Sequence, residues 1–275
     1  MTNRYTRKLP DFSPVQAGAQ AAVEVPRGPT YRTMVLSYKR GGVPATVAQI
    51  KSDILGIRLN INGITRWQAT GTRLVDVLTN FYGHTMTDGL LFIDLARHDL
   101  ATIIGADNLA WGTNNVQTFH IEVDIAPGAV NPELDGYAVI DPVVRDLGMI
   151  VECWELPFST AVGGVLEVAT IPASRGSLFA LHAAGANVTG LEVEIDSVIF
   201  QNAPMDVLNA IYSRVPSSRV PQTDYVHFAP TYLDRLDDTL PLSAQDWRLK
   251  LAMSAAGSVG IFMETLNAPL GRAQA

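Results

Sequence analysis

Five histidines, one cysteine and a knot of aspartates are the residues of this 275-residue chain best equipped for chemistry. A double-barrel metalloenzyme brings a His-x-His pair and further ligands onto one metal. Here His84, His98, His120, His182 and His227 stand at least 14 positions apart. His120 falls on the polar side of an alternating run, which predicts a solvated or hydrogen-bonded ring. Cys153, beside Trp154, reads as a small buried hydrophobe; as a nucleophile it would need a basic partner, and none is identifiable. Asp234, Asp237 and Asp238 cluster around Arg235 and form the candidate metal site. Calcium wants several oxygens converging from a loop, and the glycine-bearing spacing of an EF-hand is missing, so a solvated acidic face is the first expectation. The motifs Gly-x-Ser-x-Gly, His-Glu-x-x-His, Cys-x-x-Cys and the phosphate-binding glycine loop do not occur.

Composition narrows the class further. The hydrophobic share is 47% and the charged share 17%, the balance of a chain with ample core. A net charge of −7 argues against a nucleic-acid binder, which carries a basic surplus or stripe. The basic residues Arg4, Arg7 and Lys8 cluster before any acid. One cysteine excludes an intrachain disulfide and fits folding in a reducing cytoplasm. No stretch approaches ~18 consecutive apolar residues, and the first 16 residues lack the apolar core of a secretory signal. The expectation is a soluble product made in the cytoplasm.

The elements that must position these residues are strands. Ile57, Leu59 and Ile61 alternate with Arg58, Asn60 and Asn62. Phe119, Ile121, Val123 and Ile125 alternate with His120, Glu122 and Asp124, and Leu191, Val193 and Ile195 with Glu192, Glu194 and Asp196. Asn62-Gly63 between two such runs signals a hairpin. Further strands are predicted at 20–26, 31–38, 89–95, 136–141, 148–155, 164–171, 177–183, 224–229, 246–253 and 258–265. Two helices interrupt this rhythm, at 74–82 and 204–212.

Those helices match: Asp76-Val77-Leu78 and Tyr82 recur as Asp206-Val207-Leu208 and Tyr212, 130 positions later. Leu59 and Ile61 match Val193 and Ile195. Asp88–Phe92 matches Asp224–Phe228, and Met34–Tyr38 matches Leu178–His182. Phe119, Ile121 and Val123 match Leu249, Leu251 and Met253. Order is kept while spacing drifts, as loop insertions would cause. The chain therefore reads as a duplicated all-β domain, residues 1–147 and 148–275. Each half has about eight strands and a short helix, which suits two tandem eight-stranded jelly rolls. An immunoglobulin-type sandwich has about seven strands and shorter loops, and the Cys…Trp…Cys spacing of antibody-type domains is absent.

Several segments resemble the corticovirus major coat protein, a double jelly roll of membrane-containing bacteriophages. They are Val25–Tyr31 with Leu36-Ser37-Tyr38, Ala48-Gln49-Ile50-Lys51, Ile171-Pro172, Ala183-Ala184-Gly185, Val193–Asp196 and Asp246–Leu251. The resemblance is collinear over nearly the whole chain and departs in longer loops expected at 66–73 and 214–224 and an insertion around 126–136. It implies a major capsid protein that forms homotrimers of nearly hexagonal outline and tiles an icosahedral shell over an internal membrane. It also implies neighbouring capsomers and a vertex protein as partners, no required cofactor, structural calcium as an option, and no sequence-specific nucleic-acid binding. Arg4, Arg7 and Lys8 would face lipid headgroups or a neighbouring trimer. The rival readings are a double jelly-roll hydrolase acting on carbohydrate or amide bonds, and a secreted adhesin or lectin.

Overall fold

The computed structural model describes residues 4–270 apart from 99, 101, 169–170, 172–174, 215–218, 232–233 and 245. It divides into two compact units. The first comprises the described parts of Met1–Asn80, His84–Glu152 and Ala268–Ala275; the second comprises those of Phe81–Gly83 and Cys153–Asn267.

The first unit is built from β1 (Tyr5–Lys8), β2 (Gln20–Glu24), β3 (Thr30–Arg40), β4 (Val43–Pro44), β5 (Ile54–Ile61), β6 (Ile64–Ala69), β7 (Leu90–Asp94), β8 (Trp111–Gly112), β9 (Phe119–Ile125) and β10 (Pro132–Asp141). One sheet runs β1-β10-β3-β7, with β4 and β8 also on β3; the other runs β2-β9-β5-β6. The second unit holds β11 (Ile150–Thr160) from Cys153 onward, β12 (Gly164–Val168), β13 (Ser177–Ala184), β14 (Val188–Ile195), β15 (Val198–Pro204), β16 (Tyr225–Phe228), β17 (Leu240–Pro241), β18 (Trp247–Met253) and β19 (Gly257–Asn267). Its sheets run β11-β19-β13-β16, with β17 on β13, and β12-β18-β14-β15. Strand for strand the two orders coincide, β1 answering to β11, β2 to β12, β3 to β13, β5 to β14, β6 to β15, β7 to β16, β9 to β18 and β10 to β19. The chain is a double jelly roll.

Local sequence accounts for the elements. In β9, Phe119, Ile121, Val123 and Ile125 are buried and the residues between them are half-buried, the period-2 pattern of a strand with one face on the core. The β5–β6 turn uses Asn62 at φ 51° and Gly63 at φ 75°, and the β14–β15 turn uses Asp196 at 48° and Ser197 at 66°. Two successive left-handed residues match the twist of the flanking strands, so both hairpins turn the same way despite different residues.

Helices follow both hairpins. After β6 comes α2 (Gly71–Arg73), running into a π-helix, Leu74–Phe81; after β15 comes α4 (Met205–Tyr212). The structure also corrects the expectation of two helices. It adds α1 (Val47–Asp53), closed by a Thr46–Gln49 capping box, and α3 (Ile103–Asn108). Both are too short for an apolar periodicity to stand out. Two expected loops are also regular structure: residues 66–69 lie in β6 and 132–136 in β10. Part of the expected 214–224 loop, 215–218, lies outside the described residues, as do 169–170 of the strand expected at 164–171 and Pro172.

Candidate functional site

A fully buried group of titratable side chains lies inside the second unit. His182 on β13, His227 on β16 and Glu264 on β19 are all fully buried. The backbone N–H of Gln222 donates to His227 Nε2 at 3.1 Å, which places that ring's proton on Nδ1. His227 Nδ1 then donates to His182 Nδ1 at 2.7 Å, and His182 Nε2 donates to Glu264 Oε1 at 3.2 Å. The Tyr82 hydroxyl donates to the same carboxylate oxygen at 2.6 Å. Phe81 stacks on His227 with ring centroids 4.2 Å apart, and the Arg219 guanidinium lies 5.5 Å over Phe81 and 5.1 Å over Tyr82.

Burial, then the electrostatic influence of the neighbouring His182 ring and of Arg219, pushes the His227 pKa well below the usual histidine range. His227 is thus a neutral link in a hydrogen-bond chain, through His182, that ties three strands to Phe81–Gly83. A satisfied network of this kind specifies a core. With no exposed surface on either ring, it offers no place for a substrate. Spacing concealed the pair, since 45 residues separate two histidines that sit directly opposite in the β13–β16 register. The first unit has a related arrangement at the matching position: Tyr38, which answers to His182, donates to buried Asp53 at 2.9 Å.

The sequence-chosen aspartates do not converge. Asp234 is buried and paired with Arg219 at 2.8 Å, which corrects its assignment to a solvated face. Asp237 and Asp238 lie in a 3₁₀ turn, Leu236–Asp238, with Asp237 almost fully exposed. Among the described residues no group of three or more His, Cys, Asp or Glu side chains is placed to hold a metal ion. The trio does not fit a calcium site, because Asp234 already spends its charge on a buried guanidinium.

The basic start is a strand. Within β1, Arg7 is exposed, and Lys8 reaches Asp11 at 3.2 Å and Asp135 at 2.9 Å. Just before it, Arg4 reaches Asp107 at 3.3 Å and Asp141 at 3.2 Å. Cys153 is buried, and His120 is half-buried on the outer side of β9. No described helix is long and apolar enough to cross a membrane.

The β15–α4 face leaves several apolar side chains exposed. Val198, Ile199 and Phe200 are 57%, 56% and 50% exposed, and Val207 and Ile211 on α4 are 44% and 47% exposed. Beside them a cleft of about 570 Å³ is lined by Phe200, Leu208, Ile211, Phe228, Pro230 and Leu240 among others. The matching residues of the first copy, Val77 and Phe81, are fully buried. Apolar surface left in one continuous patch marks an interaction site.

Comparison with known proteins agrees with a surface built for assembly. A model of the viral coat protein P2 N-terminal domain matches residues 6–141, and one of the P2 C-terminal domain matches residues 152–269. The chain belongs to the viral coat protein P2 family. No curated protein sequence matches it.

Among solved structures, the major capsid protein P2 from Bacteriophage PM2 superposes with a TM-score of 0.86 at 19% identity, covering 97% of this chain and 98% of that one. The structure of Sulfolobus Turreted Icosahedral Virus gives 0.71 at 14% identity, covering 97% and 91%. The PBCV-1 virus capsid gives 0.68 at 10%, covering 98% and 94%. These likenesses establish the shared double jelly-roll fold, and the two family matches bear out the resemblance to a corticovirus-type coat protein. The coat protein's role is structural: it assembles with itself into the capsid of a virion. The hydrolase reading finds no support in the family.

Proposed function

We propose that this coat protein is the major shell subunit of an icosahedral virus, forming homotrimers that tile the shell over an internal membrane. The observation that carries this reading is the duplication. Each chain presents two units of the same strand order, so three chains supply six similar units, and a ring of six tiles a curved surface with hexagonal neighbours. Synthesis in the host cytoplasm, contact with neighbouring capsomers and contact with a vertex protein belong to the same reading.

The start of the chain fits a neighbouring protein better than a lipid surface. Arg4 and Lys8 are already matched by carboxylates, which leaves little net positive charge to attract headgroups. No cofactor is required, and calcium would have to be held by groups other than Asp234, Asp237 and Asp238. Light scattering on the purified chain tests the central claim. The expected mass is three chains of 29.7 kDa; a monomer at every concentration would remove the proposal.

A further inference from the structure

The duplication supplies a template for how one chain meets the next. In the first copy β11 is the sheet neighbour of β6 on the side away from β5, and β11 opens with Ile150–Glu152, residues that belong to the first unit. A β-bulge between Leu59 and Asn60 makes Arg66 the extra residue of β6. A bulge re-aims its side chain, and Arg66 Nη1 donates to Glu152 Oε1 at 3.0 Å.

In the strand-for-strand equivalence, β15 stands for β6 and β1 stands for β11. Among the described residues β15 pairs only with β14, and β1 only with β10, so both strands keep one open edge. The β14–β15 ladder carries the same bulge, and its extra residue is Phe200, the counterpart of Arg66. Thr6 lies in the middle of β1, the counterpart strand of β11. An open edge is a row of unpaired N–H and C=O groups ready to template another strand. On β15 it runs beside the apolar residues Val198, Ile199 and Phe200, with neither lysine nor an internal proline to blunt it.

We propose that the outer edge of β15, with Phe200, Val207 and Ile211, is the surface on which β1 of a second copy of this chain docks as an added strand. The contact between chains then repeats the contact made once inside each chain. The two surfaces differ, so the interface is head-to-tail, the kind that closes into a ring when the rotation allows. Main-chain hydrogen bonds supply affinity, and the apolar residues of β15 and α4 supply specificity. The inference rests on the self-assembly reading above and names the surfaces that reading leaves open.

The test uses the full chain. The variant Phe200→Lys changes a half-exposed side chain, so its melting temperature stays that of the wild type while self-association weakens at least tenfold. Separately, chains carrying Thr6→Cys are mixed with chains carrying Phe200→Cys and oxidised. Cross-links form between the two variants and not within either alone, Cys153 being buried. A Phe200→Lys chain that associates as the wild type does, or a mixture that assembles without the cross-link, overturns the docking. A wild-type chain that never associates removes the self-assembly reading itself.

Discussion

At the scale of single residues, the buried His227 imidazole makes stability depend on pH with a definite sign. The folded-state pKa of His227 lies well below its ordinary value of 6.5. Near and below pH 6.5 the unfolded chain therefore binds a proton that the folded chain refuses. Stability is fully present above that pH and falls as the pH drops through it, at up to about 1.4 kcal/mol per pH unit for one group. Thermal melts from pH 8 to pH 5 should show this decline, and a His227→Gln variant should show less of it. A flat wild-type profile would remove the assignment.

The Arg219–Asp234 pair makes a second prediction of this scale. Both groups are buried, so Asp234→Ala removes the carboxylate that balances the Arg219 charge and should cost about 3 kcal/mol in denaturant melts. Neither network was legible in the sequence. Asp234 sits among exposed acids, and His182 and His227 meet only because two strands pair, which composition and spacing do not encode.

At the scale of elements, period-2 alternation located most strands, because one face of each is buried and the other is not. It also suggested an equivalence that the ladders refine. Leu59 pairs with Ile121 and Val193 with Leu249, so Ile121 answers to Leu249 and not, as the sequence matching has it, to Leu251. A slip of two residues leaves the same face inward and so is invisible to an alternation pattern. The short helices α1 and α3 escaped because fewer than two turns of helix carry too little periodicity.

The hairpin–helix element yields paired predictions. Phe81→Ala removes a fully buried ring and should cost about 3–5 kcal/mol, whereas Ile211→Ala at the matching place should cost the isolated chain no more than about 0.5 kcal/mol. In the β14–β15 turn, Ser197 holds φ 66°, where glycine is relieved of the side-chain clash. Ser197→Gly should therefore raise stability by about 0.5 kcal/mol, and a loss would argue against the turn as described.

At the scale of the whole molecule, the duplicated wiring was readable because five ordered matches survive insertions between them. What differs between the copies was not readable. Val77 and Val207 are the same residue type in the same motif, yet one is buried and the other 44% exposed, a contrast set by what lies next to each helix. Because the aspartate trio does not form a cation site, stripping divalent ions with EGTA should leave the melting temperature of the free chain unchanged. A drop of several degrees would place a structural ion elsewhere in the fold.

The lone thiol offers a way to watch the protein open. Cys153 lies near the start of β11 and is 3% exposed, so an aromatic disulfide reagent reaches sulfur only when that strand peels away from its neighbours. The rate of colour release under native conditions then clocks local breathing of the strand. Comparing free subunits with finished shells would report how far encapsulation slows that breathing, with no label introduced and no residue changed.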